Sequence, residues 1–147
     1  MVYKRKAHVL FVGSGDPSRA LMAAAFANTL GAHFMLARAV KLQRRPCLPQ
    51  LGNIMHEVGL DVSNPRLYRL NNNNIAWADL VVALDEAAAA ACPVLPTWVQ
   101  TRCYPFAAPE NIESLRRVRD AIQQRVAGMV GGMALMAAFD EGEINVR

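Results

Sequence analysis

His8-Val9-Leu10-Phe11-Val12-Gly13-Ser14-Gly15-Asp16-Pro17-Ser18-Arg19 passes from an unbroken apolar run into a loop of small residues, and an alanine-rich stretch follows over 20–30. A continuous apolar run with a glycine-rich exit is the pattern of a strand buried on both faces, as in a parallel sheet. Asp16-Pro17 reads as a helix start. Asp supplies a capping oxygen, and Pro, which has no N–H, suits the first helical position. Gly31 is the matching stop.

Outward from this unit, 33–40 reads as a second strand. Pro49 begins a second helix with Leu51, Ile54, Met55 and Val58 on one face, and Gly59 ends it. The stretch 60–74 is loop-like, and Asn71-Asn72-Asn73-Asn74 reads as a helix cap or surface turn. Ala78-Asp79-Leu80-Val81-Val82-Ala83-Leu84 is another buried strand, and Asp85-Glu86 opens an alanine helix that Pro93 ends. A last strand falls at 99–104. One long helix covers 110–138, with Ile112, Leu115, Val118, Ile122, Val126 and Met129 recurring every three or four residues and its arginines on a solvated face. Strands alternating with helices predict an α/β fold: a single three-layer domain over 1–147, a four-stranded parallel sheet and helices on both faces. An apolar C-terminal extension starts near residue 128, and there is no internal repeat or linker.

At 147 residues and 53% hydrophobic, the chain suits one globular core. The net charge is +4. Its basic patches, Lys4-Arg5-Lys6, Arg44-Arg45 and Arg116-Arg117 with Arg119, are scattered and joined by no nucleic-acid motif, so no nucleic-acid partner is expected. Cys47, Cys92 and Cys103 lack metal-ligand spacing and read as reduced thiols of a cytoplasmic protein. His8, His33 and His56 are scattered packing or surface residues, so neither a metal nor a cofactor is implied. The basic start runs into a short apolar stretch that Gly-Ser-Gly-Asp-Pro breaks, which predicts neither a signal peptide nor a membrane span. The segment 127–139 is apolar all round. Packing on the core is its default role; dimerisation and fraying after Gly131-Gly132 stay open.

The frame of the first loop resembles the phosphate loop of the low-molecular-weight protein tyrosine phosphatases and the thioredoxin-coupled arsenate reductases. The resemblance continues in order through Gly59-Leu60-Asp61-Val62-Ser63, Ala78-Asp79-Leu80-Val81-Val82, Cys92-Pro93-Val94-Leu95-Pro96 and Arg117-Val118-Arg119-Asp120-Ala121-Ile122, covering about 7–127. It implies that family's fold. It also implies a chemistry of three parts. A low-pKa cysteine attacks the oxyanion centre, loop amides and an arginine hold the oxygens, and the acid of an Asp-Pro pair protonates the leaving group.

On that resemblance Gly13 stands at the nucleophile, Ala108-Pro109 at the Asp-Pro pair, and Asp85 and Cys92 at the two relay cysteines. Glycine has no side chain with which to attack, and one thiol makes no relay. The expectation is a catalytically inactive phosphatase- or arsenate-reductase-like module with no catalytic residues, acting by binding an oxyanion or a partner protein. The alternative is an enzyme of altered chemistry using Ser14, Ser18 or Cys92. Gly13, Ser14, Gly15, Asp16, Ser18 and Arg19 form the candidate anion loop, with phosphate, sulfate or arsenate as ligand and a protein partner or homodimer as the other option. Two readings of the loop stay open. Arg19 with the two serines holds an anion, or Asp16 caps the helix, pairs with Arg19 and closes the loop on itself. Trp98, Tyr104 and Phe106 form a candidate apolar rim beside it.

Overall fold

The computed structural model describes residues 5–140; Lys4 of the first basic patch and the start of the leader reading lie outside them. The order is β1 (Ala7–Gly13), α1 (Ser18–Leu30), β2 (Met35–Lys41), α2 (Leu51–His56), β3 (Leu67–Arg69), α3 (Asn72–Trp77), β4 (Leu80–Ala83), α4 (Glu86–Ala91), β5 (Gln100–Cys103) and α5 (Ile112–Asp140). All strands are parallel, in the order β3-β2-β1-β4-β5.

β1 is central because both its faces are apolar. Val9 and Phe11 enter the core under α1, α2 and α5, while Leu10 and Val12 enter a second core with Val40, Val81 and Ala83. Alanines let α1 lie close on the sheet. Asn28 fixes its end, donating to the Ala37 carbonyl at 3.0 Å and accepting the Ala37 N–H at 2.8 Å.

The sheet has five strands, not four. The extra one, β3, is a three-residue edge strand inside the stretch read as loop. Three residues are too few to show a period of two. Tertiary stacking holds β3 instead: the Arg38 guanidinium lies 4.5 Å from the Tyr68 ring and 3.8 Å from the Trp77 ring. The asparagine run caps α3, with Asn71 accepting the Asn74 N–H at 2.9 Å.

Leu115, Val118, Ile122, Val126 and Met129 of α5 are buried as their spacing requires, but Ile112 is exposed. Arg119 is not on a solvated face. It is 8% exposed and donates to the Ile54 carbonyl and the Glu57 carboxylate of the α2 segment. Within the apolar extension, Val130 and Met133 pack on the core while Leu135 and Met136 stay half exposed. No helix of the described residues is long and apolar enough to cross a membrane.

Candidate functional site

In an open parallel sheet the ligand crevice lies beyond the carboxyl ends of the strands, where the chain changes direction across the sheet. β1 sits between β2 and β4, so the loop after β1 opens into that crevice. The segments after β2, β4 and β5 all reach it. The Ser14 N–H donates to Asp85 Oδ2 at 2.9 Å, the Gly15 N–H to Gln43 Oε1 at 2.7 Å, and Arg19 Nη1 to the Phe106 carbonyl at 2.7 Å.

Gly13 ends β1. Beyond its chain neighbours, a Cβ there would meet only Ala20 among the described residues, at 3.9 Å, so the position has room for a side chain and no reacting group. Gly15 has φ 68°, in the left-handed region that glycine adopts at little cost. The Arg45 guanidinium lies 3.5 Å from where its Cβ would stand, so one basic patch reaches the loop.

The helix starts one residue later than expected, so Asp16 precedes the cap instead of forming it. Pro17 is the N-cap, without a side-chain capping bond, and Asp16 Oδ1 accepts the Ser18 N–H at 2.9 Å. Ser18 is fully buried, its Oγ accepting from the Leu48 N–H at 3.4 Å.

Arg19 is 3% exposed. Its ion-pair partner is Asp85, at 3.2 Å, and not Asp16. Arg19 Nη2 donates to the Ser14 carbonyl at 2.9 Å, which ties the guanidinium under the loop. Arg19 Nε is buried and has no hydrogen-bond partner among the described residues. This leaves one strong donor buried without a partner beside the loop.

Asp85 works at two places. Oδ1 accepts the Ala88 N–H at 2.6 Å and caps α4, while Oδ2 holds the Ser14 N–H and faces Arg19. Burial opposes its ionisation, but the N–H groups of Ser14 and Ala88, the Ser14 side chain and the Arg19 charge together hold its carboxyl below the usual aspartate range. A carboxylate so stabilised is a poor base for the Ser14 hydroxyl.

The thiols are placed differently. Cys92 is the C-cap of α4 and packs on the second core, and burial first, then Cys103, pushes its thiol up. Burial and then Asp16 push Cys47 up as well. A raised pKa leaves little thiolate at neutral pH. Cys92 and Cys103 line one cavity of about 520 Å³ beside β5, a proximity the sequence spacing did not reveal. Of the expected rim, only Trp98 is exposed; Tyr104 and Phe106 pack on the main core. Spacing also gave no sign of Gln43 or Arg45 at the loop. Their place after β2, next to β1 in the sheet, is the signal that locates them.

Known proteins share this sequence and architecture. The arsenate reductase of Staphylococcus aureus (strain Newman) is 31% identical over 120 residues, which cover 80% of this chain and 92% of the relative. Arsenate reductase 1 of Staphylococcus epidermidis (strain ATCC 35984) is 28% identical over 124 residues, 83% of this chain and 94% of the relative. No family model matches the chain. A solved arsenate reductase in the phosphate-binding state superposes with a TM-score of 0.73 at 27% identity, covering 86% of this chain and 98% of its own. Wzb of Vibrio vulnificus in complex with benzylphosphonate shows the same fold, with a TM-score of 0.73 at 14% identity over 86% of this chain and 98% of its own.

Proposed function

This chain belongs to the arsenate reductase family, and from that premise we propose that it binds a tetrahedral oxyanion at the Arg19 loop without cysteine-based turnover. Phosphate, sulfate and arsenate are the ligands this chemistry fits. The observation that carries the reading is Asp85, whose carboxylate, at a position matching a relay cysteine, binds the Ser14 N–H and faces Arg19. It is a resident anion in a cradle built for one. An incoming oxyanion competes with it for Arg19, and the nearby Arg45 charge favours the newcomer.

Turnover lacks its groups. Gly13 offers no nucleophile and Ala108 no acid, and the relay keeps one thiol of three. The family neighbour in a phosphate-binding state supports an oxyanion as ligand. A protein partner is the second reading. It rests on Val94, fully exposed, and Trp98, 68% exposed, in the proline-rich segment after α4.

The test is thermal unfolding with millimolar phosphate, arsenate or sulfate against chloride at matched ionic strength. Ligand at about 100 times its Kd adds roughly 2.7 kcal/mol, or roughly 5–10 °C for a domain of this size. The reading expects an upward shift that Arg19→Ala abolishes and Asp85→Asn enlarges. No shift with any anion overturns it and leaves the partner surface. Thioredoxin-coupled arsenate reduction, or phosphatase activity, lost on changing Ser14, Ser18 or Cys92 establishes the altered enzyme instead.

A further inference from the structure

A cavity of about 1050 Å³ runs along the β5 side of the sheet, from the amino ends of β1, β4 and β5 to Tyr104 just past β5, against α5 from Gln124 to Ala137. Its volume is in the range of small-molecule sites. One wall is apolar: Met129, Met133 and Met136 fall on one face of α5, and methionine adapts its shape to a ligand. Gly128 and Gly132 lie on the same wall, and among the described residues no heavy atom beyond the helix's own backbone and the chain neighbours comes within 4 Å of a Cβ built at either. Glycine weakens a helix interior relative to alanine, and the chain's own packing does not require its use there.

The other wall is cationic. The Arg125 guanidinium lies 4.1 Å from the Tyr104 ring, and Arg102 Nη1 donates to the Tyr104 hydroxyl at 3.3 Å, so two guanidinium groups flank one ring. Lys6 adds a third charge. Among the described residues, the one carboxylate of the lining, Asp79, is already neutralised by Arg5, whose two nitrogens bind it at 2.9 and 3.0 Å. Among the described residues, neither Arg102 nor Arg125 is paired with a carboxylate.

We propose that this cavity is a binding site for an amphiphilic organic anion. Its single anionic head lies against Arg102 and Arg125, and its hydrocarbon body lies on the methionine wall. Charge complementarity selects an anion, and the methionine and glycine wall selects one with an apolar body over a bare ion. The proposal is independent of the Arg19 loop.

The probe is 8-anilino-1-naphthalenesulfonate, an aromatic sulfonate whose fluorescence rises on binding, displaced by decanoate with decanol as the neutral control. The expected result is saturable one-site binding, with decanoate at least tenfold tighter than decanol. Arg102→Gln with Arg125→Gln is expected to reduce decanoate to the affinity of decanol. Gly132→Leu is expected to weaken both by filling the wall. These three positions are exposed, and unfolding curves verify that the variants fold. Equal affinity for decanol and decanoate, or binding that the variants leave unchanged, overturns the proposal. Displacement by inorganic phosphate alone relocates the probe to the Arg19 loop and also overturns it. Decanoate acting only by dissociating a dimer makes a second copy of the chain the occupant, with the same consequence.

Discussion

Asp85 shares its carboxylate between the first turn of α4 and the loop after β1, and Arg19 is the cation that makes this arrangement stable. The pair is unequally buried, with 4% of the Arg19 side chain exposed against 13% of Asp85. Removing one partner of a fully buried pair costs about 3–5 kcal/mol; the partial exposure of Asp85 places Asp85→Asn nearer about 2 kcal/mol at pH 7. The pH dependence follows from the direction of the shift. The folded pKa lies below the unfolded value of about 3.9, so the stabilisation is complete above roughly pH 4–5 and is lost as the pH falls through the folded value. Urea unfolding of the protein and of Asp85→Asn at pH 7 and pH 3 checks this. The gap between them is expected to narrow at pH 3. A gap that keeps its full size there means that the shape of the side chain, not its charge, holds the loop.

At the scale of elements, α5 is the strut that α1 and α2 lean on. Gly31, the C-cap of α1, shows how closely: a Cβ there would stand 2.9 Å from the Ala27 carbonyl oxygen and 2.9 Å from Val130 Cγ2 of α5. Its φ of −110° is open to any residue, so close approach is what demands glycine. Gly31→Ala is expected to cost about 1–3 kcal/mol as an overpacked contact, read as a lower urea midpoint with an unchanged slope. The α2 side is held by charge. Hydrogen bonds from Arg116 and then Arg119 hold the Glu57 carboxyl at about 2. Its contribution is therefore present above the unfolded glutamate pKa of about 4.3 and disappears as pH falls toward 2. Glu57→Gln is expected to remove that part of the acid dependence, and an identical acid profile in the variant rules the linkage out. These elements were legible in the sequence to different degrees. The runs at β1 and β4 are apolar on both faces and declare themselves, and the long period of α5 is unambiguous. β3 was illegible because Arg38, Tyr68 and Trp77 assemble only after β2 and α3 are in place. The role of Arg119 was hidden because a cation on a helix surface looks solvated until a neighbouring helix supplies Glu57.

At the scale of the molecule, the site is a meeting of four loops from β1, β2, β4 and β5, and the sequence marked only part of it. The loop of residues 13–19 was visible as a local pattern, and Asp85 by its place after a buried strand. The partnership of Asp85 with Arg19, and the approach of Gln43, Arg45 and the Phe106 carbonyl, depend on strand order, which no local pattern encodes. The same convergence makes the proposed absence of turnover testable. Gly13 has room for a thiol, since beyond its chain neighbours only Ala20, among the described residues, lies within 4 Å of a new Cβ. Gly13→Cys alone is expected to give no efficient turnover, because Asp85 would oppose an adjacent thiolate and Ala108 protonates nothing. Adding Ala108→Asp supplies the acid in the segment that already reaches Arg19 through the Phe106 carbonyl. Adding Asp85→Cys removes the resident anion and restores a second thiol beside Cys92. The triple variant is expected to reduce arsenate with thioredoxin as electron donor, and each partial variant to fall at least 100-fold below it, the scale on which a positioned acid or nucleophile acts. Near-equal rates for Gly13→Cys and the triple variant would mean that the loop retained its catalytic electrostatics and lost a single atom group. That outcome would make the Asp85 carboxylate a bystander and would overturn the proposal of oxyanion binding without cysteine-based turnover.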